Sequence, residues 1–475
     1  MSPRHCSTSF GEPLSIESKK LVNEVRERLT ETIDPKFNTD FNIYRFVMNA
    51  ERVMKNSKDV VESAAKALNQ HLCVRRCLRL DELPDISFEE NRLFTERFLP
   101  RGEICDATDS ANRLLWFIEY ATISVESIAQ SLRSSESIRW QFRQFEHMLR
   151  RVNRQESETG RLSSLRHIID MNGYEINPFT MLFVSSGTLS YYSQLFHYDN
   201  YPELVNPIEL VNIAKWIHVP YRIIKAMMPA GFSDRFRLHD GNFLANISAE
   251  ININDIPTSL GGRNERIKCI PSDKNARNWT PGDEAVVRAL ETLHVPARKF
   301  RYFRVVFDRA DQLLSWYFRT DGDIYLGVFY EPLPNSIDDE AQKAGMITNG
   351  CPHKRHHSHH HQQEHLDLEA KEVVHPWFKF TARLVHESDA LLCHTPGVYY
   401  VVFSNKQCWL HSRSIDLIVS SRDPLAGPER WRHRPAENAA APERCDLQFA
   451  ALANVEAEAR PWRSMSDPVN PLTKQ

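Results

Sequence analysis

The chain has 475 residues, 41% hydrophobic and 25% charged, which allows about three domains with sizeable cores. A formal net charge of −3 gives no global electrostatic reason to bind nucleic acid. Nine cysteines, an odd number without framework spacing, argue against a disulfide scaffold, and no apolar run reaches the ~18 residues of a membrane span.

The opening MSPRHCSTSFGEPLS has no apolar stretch, so no secretory signal is expected, and residues 1–15 read as a disordered tail. Leu21, Val25, Leu29 and Ile33 recur every four residues, predicting an amphipathic helix from Ile16 to Ile33 that Pro35 stops. A second helix is expected over 40–55, with Phe41, Tyr44, Val47 and Met48 inward. Ser57 is placed to cap a third, whose stripe is Val60, Val61, Ala64, Leu68 and Leu72. Residues 16–85 therefore form a small helical module, expected to be a scaffold without chemistry. Cys73 and Cys77 lie four apart on it, but a thiolate metal site needs further ligands.

The apolar run RLLWFIE at 113–119 predicts a strand carrying Trp116 and Phe117, and residues 124–154 one or two long helices. Between Arg133 and Arg166 stand eight arginines and four glutamates, with no lysine or aspartate. Such a face is either solvated and ion-paired or turned toward anionic lipid. The pattern then alternates: strand LRHIIDM, a helix opening near Pro178, strand PIELVNI, a helix over 216–228, strand RFRLHD. This predicts a mixed or parallel sheet covered by helices. In the 216–228 helix, Trp216, Ile217, Val219, Ile223, Ile224, Met227 and Met228 make a wide apolar stripe, with Arg222 and Lys225 off it. Periodicity alone fits a packed core helix. Adjacent methionines after a leading tryptophan also suit a movable lid that must meet varied apolar partners.

Residues 263–283 are polar, and 263–293 read as a linker. Six aromatic and β-branched runs follow: KFRYFRVVF, LLSWYFR, DIYLGVFY, WFKFTARLV, GVYYVVFS and SIDLIV. They predict an all-β sandwich over 294–420, interrupted by a long insertion at 333–373. That insertion holds CPHKRHHSHHHQQEH, with seven histidines between His353 and His365. A low-complexity tract without fixed surroundings is not expected to be a functional metal site. Residues 421–475 contain seven prolines and little periodicity, so a disordered tail is expected. No nucleophile elbow, zinc-protease or phosphate-loop motif occurs in a suitable element, and Ser185, Ser186 and Gly187 fall mid-helix. No catalytic residue, metal or cofactor is assigned, and an enzyme is not expected.

Four strings in order resemble the CRAL-TRIO lipid-binding family of the phosphatidylinositol-transfer and supernatant-protein-factor type. They are IIDMNG (168–173), NYPELVNPIELVNIAKW (200–216), RIIKAMM with RFRLHD (222–228 and 235–240), and IPTSLGG (256–262). Residues 40–80 are similar to the helices that precede this domain. LSWYFRTDGDIYLGVFY and PGVYYVVFSNK are similar to the GOLD domain that follows it in animal members. The resemblance implies a helical module (16–85), an α/β CRAL-TRIO domain (86–262) and a GOLD-type sandwich. It implies a pocket for one phospholipid, phosphatidylinositol-like, under the lid residues Trp216, Val219, Ile223, Ile224, Met227 and Met228. Trp116, Phe117, Leu165 and His167 would supply pocket wall. Leu165 and His167 stand where phosphatidylcholine carriers have small hydroxyl residues, which argues against phosphatidylcholine exchange.

Glu203 and Arg235 occupy the positions that contact the inositol head group, and Arg235→Ala is expected to lose inositol-lipid selectivity while folding is kept. The expected protein is a cytoplasmic monomer that transfers or presents lipid, binds no nucleic acid and touches membrane peripherally, the Golgi among the candidates. Two alternatives stay open: a trafficking adaptor binding a protein partner through the GOLD-type domain, or a carrier of a tocopherol, retinoid or isoprenoid.

Overall fold

The computed structural model describes residues 8–54, 57–175, 200–214, 218, 221–222, 225, 233–239, 241–273, 279, 284–333, 347–349, 366–422 and 448–449. The chain divides into two compact units. The first begins with three helices: α1 (Ile16–Arg26), α2 (Asp40–Val53) and α3 (Ser57–Leu78). Ser15 and Thr39 cap the first two, their hydroxyls accepting from the Ser18 and Asn42 N–H groups. The predicted stripe of α3 (Val60, Val61, Ala64, Leu68 and Leu72) is buried as expected.

Two expectations fail here. The first helix ends at Arg26, not Ile33, because the Asn69 side chain accepts from both the Thr30 and Glu31 N–H groups and draws the chain out of helix. Residues 8–14 are not a loose tail. Thr8 is buried and its N–H donates to the Tyr44 hydroxyl, the Gly11 N–H donates to the Leu162 carbonyl, and Leu14 is buried.

Short helices α4 (Arg92–Thr95) and α5 (Val125–Ala129) flank β1 (Glu103–Thr108) and β2 (Leu114–Glu119), and the long α6 (Ser134–Thr159) follows. β3 (Leu165–Asp170), β4 (Val205–Val211) and β5 (Phe236–Leu238) complete a five-stranded sheet in the order β1-β2-β3-β4-β5. β2 to β5 run parallel, and β1 pairs antiparallel at the edge. All six residues of β3 are buried, as a central strand covered on both faces requires. One face carries Leu115, Phe117, Ile168 and Val211, packed on Phe243, Ile247, Ile251, Ile256, Leu260 and Ile267. Ile267 belongs to the expected linker, and the backbone of Ile270 pairs with that of Arg101, so residues 263–270 are part of this unit.

The second unit, which also takes in Ala129–Glu136, is a sandwich of two sheets. One is ordered β12 (Glu387–Cys393), β8 (Gln312–Thr320), β14 (Arg413–Arg422), β6 (Glu291–Val295). The other is ordered β11 (Glu372–Phe380), β9 (Ile324–Glu331), β13 (Gly397–Ser404), β7 (Phe300–Phe307). β10 (Ile347–Asn349) and β15 (Gln448–Phe449) extend the second sheet past β7. Pairing is antiparallel among the eight long strands. Between the sheets, Phe318 meets Phe380 and Phe403 edge-on at 5.9 and 5.4 Å. β13 is buried at every position, because Leu366 joins Val398, Tyr400 and Val402 in a cluster on its other face.

Candidate functional site

Asn200, Tyr201, Pro202 and Glu203 lead into β4. Glu203 adopts a left-handed backbone (φ 57°) and its side chain is fully buried. Its carboxylate accepts from Arg235, which precedes β5, at 2.7 Å and from the Asn206 amide at 2.7 Å. Arg52 of α2 donates to both of its oxygens, at 2.8 and 3.1 Å. Burial by itself would raise the Glu203 pKa, but Arg235 and Arg52 outweigh it and hold the carboxyl below its ordinary range. Glu203 and Arg235, singled out from the sequence, are thus brought together. Arg52 was not foreseen. It sits on a helical module expected to contribute nothing, and no local motif marks it.

The neighbouring Tyr201 fastens the same loop. Its hydroxyl donates to Glu146 of α6 at 2.6 Å, and Glu146 accepts from Arg75 of α3 at 2.7 Å. Arg75 is also paired with Asp81. Burial first, then the Glu146 charge, push the Tyr201 phenol far above its usual range, so it remains a donor.

The four expected wall residues do not share a face. Trp116 and His167 are register partners on β2 and β3, stacked with ring centroids 3.6 Å apart. Leu165 lies two residues before His167 and so on the same side. Phe88 stands 5.9 Å from Trp116 and 5.5 Å from His147 of α6, which puts this pair under helix. Phe117, one residue on from Trp116, belongs to the opposite core. Alternation along the strand separates it from the other three. The lid residues Trp216, Val219, Ile223, Ile224, Met227 and Met228 lie outside the described residues, as do Ser185, Ser186 and the histidine tract.

Residues 103–262 match the family profile of the CRAL/TRIO domain. These residues form a CRAL-TRIO domain. Residues 14–83 match a domain of unknown function, DUF8435, and residues 278–424 match an F28H7.8-like C-terminal domain. The chain is similar to CRAL-TRIO domain-containing protein F28H7.8 of Caenorhabditis elegans, 22% identical over 432 residues, covering 88% of this chain and 96% of that protein. Among solved structures it is similar to Sfh5, with a TM-score of 0.36 and 14% identity over 56% of this chain and 94% of that one.

On the face that carries Ile168 and Val211, the CRAL-TRIO sheet also holds a charge network that the sequence reading passed over. Arg166 of β3, almost fully buried, contacts Glu209 at 2.6 Å, Glu250 at 2.5 Å and Asp109 at 3.1 Å. Glu209 also accepts from Arg237 at 3.3 Å and pairs with His239 at 2.6 Å. A signal was present: each of the three apolar strands LRHII, PIELV and FRL carries one charge of compatible sign. Every charge in this network has a partner, as buried charges require. Among the described residues no group of three or more His, Cys, Asp or Glu could hold a metal, and no helix is long and apolar enough to cross a membrane.

Proposed function

We propose that the chain is a lipid-transfer or lipid-presenting protein holding one phospholipid, phosphatidylinositol-like, in its CRAL-TRIO domain. The observation that carries this reading is the match of residues 103–262 to that domain, on a chain whose parallel strands β2 to β5 deliver Glu203 and Arg235 to one place. Burying each methylene of an acyl chain contributes about 0.8 kcal/mol, so a two-chain lipid crosses water only if its tails stay covered. An apolar hollow closed by residues 216–228 would supply the cover without covalent chemistry.

Arg52, Glu203 and Arg235 would read the head group. Arg52 is the member open to solvent, 30% exposed, against 0% for Glu203 and 2% for Arg235. A guanidinium suits a phosphate through paired donors, and the carboxylate suits sugar hydroxyls. We assign the C-terminal sandwich to the GOLD type on the strings 314–330 and 396–406, and place the protein in the cytoplasm with transient membrane contact. The test is to purify the chain from cells, extract with organic solvent and identify what is released, alongside transfer between vesicles. Stoichiometric inositol phospholipid with measurable transfer is expected. A neutral isoprenoid in its place, or no bound lipid and no transfer, would overturn the reading.

A further inference from the structure

The sandwich exposes two large apolar side chains next to each other, Trp409 at 71% and Leu410 at 84% of their full accessibility. They stand on the connection between β13 and β14, and this connection is held firmly. Asn405, itself buried, donates from its side-chain amide to the carbonyls of Val295 (3.2 Å) and His411 (2.9 Å). Its backbone N–H donates to the Lys299 carbonyl at 2.8 Å. In return the Arg298 N–H donates to the carbonyls of Asn405 and Cys408, at 3.1 and 3.0 Å. The β6–β7 turn and the β13–β14 connection are therefore stitched into one tip. The apolar pair is displayed by fixed backbone.

Three cations share that tip. The Arg298 guanidinium lies 4.5 Å over the Trp409 ring, and the Lys406 ammonium 5.1 Å from the Phe300 ring. Burial is the chief cause that sets the Lys406 pKa below its ordinary range, with Glu369 opposing it and Lys299 adding to it. Lys299 and Lys406 thus both stand at this tip, with Glu369 as a nearby acidic group.

We propose that this tip, Trp409 and Leu410 ringed by Arg298, Lys299 and Lys406, inserts into the interface of an anionic lipid bilayer. Two protruding side chains are too small a patch for a protein interface, which takes roughly 800 Å² from each partner. A fluid bilayer accepts a protruding pair without matching its shape. Tryptophan favours the head-group level, where an adjacent guanidinium can keep its ring contact while meeting a lipid phosphate. Arg298, Lys299 and Lys406 give the tip the cationic charge that an anionic surface attracts.

The test is flotation of the full chain with vesicles of phosphatidylcholine, with and without phosphatidylserine. The wild type is expected to float with the anionic vesicles. Trp409→Ser/Leu410→Ser should lower the partition coefficient about tenfold or more, each tenfold being 1.4 kcal/mol. Lys299→Glu/Lys406→Glu, which leaves the apolar pair intact, should abolish the preference for phosphatidylserine. Trp409 and Leu410 are exposed and Lys299 and Lys406 half-buried, so thermal melts of each variant are run beside the flotation, and those of Trp409→Ser/Leu410→Ser are expected to match the wild type. Brominated lipid should quench tryptophan emission in the wild type and less in Trp409→Phe. Flotation unchanged in both double variants overturns the proposal. So does loss of self-association in Trp409→Ser/Leu410→Ser with flotation intact, which would give the tip to a second copy. Lipid extracted from the same preparations reports the CRAL-TRIO pocket separately, so failure there is distinguishable from failure at the tip.

Discussion

The guanidinium of Arg235 donates a 2.7 Å hydrogen bond to the carboxylate of Glu203, and both side chains are sealed from solvent. Truncating Arg235 would leave a buried carboxylate with Arg52 as its remaining cation. Stranding one member of a buried pair costs about 3–5 kcal/mol, and Arg52 should hold the loss to about 3 kcal/mol. The sequence-based expectation that Arg235→Ala keeps its folding is therefore revised. Glu203→Gln/Arg235→Met removes both charges and should recover most of that stability. Urea unfolding of the two variants checks the difference, and lipid extraction checks that both lose any inositol-lipid preference. If Arg235→Ala unfolds like the wild type, the pair has no structural role.

The same carboxylate sets an acid response. Its folded pKa lies below the ordinary value, so as pH falls the unfolded chain takes up the proton first. The stabilisation is fully present above the ordinary carboxylate range and is lost as pH drops through the folded pKa. Glu203→Gln should flatten this part of the curve between about pH 5 and pH 2 while changing little of the pH dependence near neutrality. Denaturant midpoints across that range measure it, and parallel curves for the two proteins would remove Glu203 as the source.

The IPTSLGG string ends in two glycines with different reasons. Gly261 adopts φ 83°, so alanine there costs about 1 kcal/mol in backbone strain. A Cβ on Gly262 would lie 2.0 Å from the Ile256 carbonyl oxygen, which is backbone and cannot swing aside. Gly262→Ala should therefore destabilise the CRAL-TRIO unit more than Gly261→Ala, by about 1–3 kcal/mol beyond it. Paired thermal or urea melts decide the order, and the reverse order would show that the turn re-forms around the new methyl.

What could be read in the sequence was set by burial. β3 and β13, covered on both faces, are apolar enough to stand out, and β7, β8, β9 and β14 announce themselves by aromatic and β-branched content. Among the strands not foreseen, β1, β6 and β12 lie at sheet edges, where EICDAT, ETLHV and ESDALLC need only one neighbour and tolerate polar residues, while the short β10 and β15 fall in the stretches expected to be an insertion and a disordered tail. Glu203 and Arg235 were found because a family pattern marks them. Arg52 was not, because its partner lies 151 positions away and only the fold brings them together. Phe117 was grouped with Trp116 by adjacency, although neighbours on a strand face opposite ways.

Glu387 in the sandwich unit makes the opposite pH response to Glu203. It is fully buried, and its two carboxylate oxygens accept from the Ser135 hydroxyl at 2.5 Å and the Ser135 N–H at 3.1 Å. Burial is the chief cause that raises its pKa to about 7, against the Ser135 hydrogen bonds, with Asp389 adding to the rise and Arg133 opposing it. Because the folded value exceeds the unfolded one, the native state binds the proton more tightly. Stability should fall as pH rises from about 4.5 to about 7, and the cost above that range is on the order of 3 kcal/mol. Glu387→Gln keeps the shape, removes the charge, and should unfold later than the wild type at pH about 8 with little difference at pH about 5. Thermal melts of both proteins across that range measure the slope. An identical slope in Glu387→Gln would mean that another group is responsible.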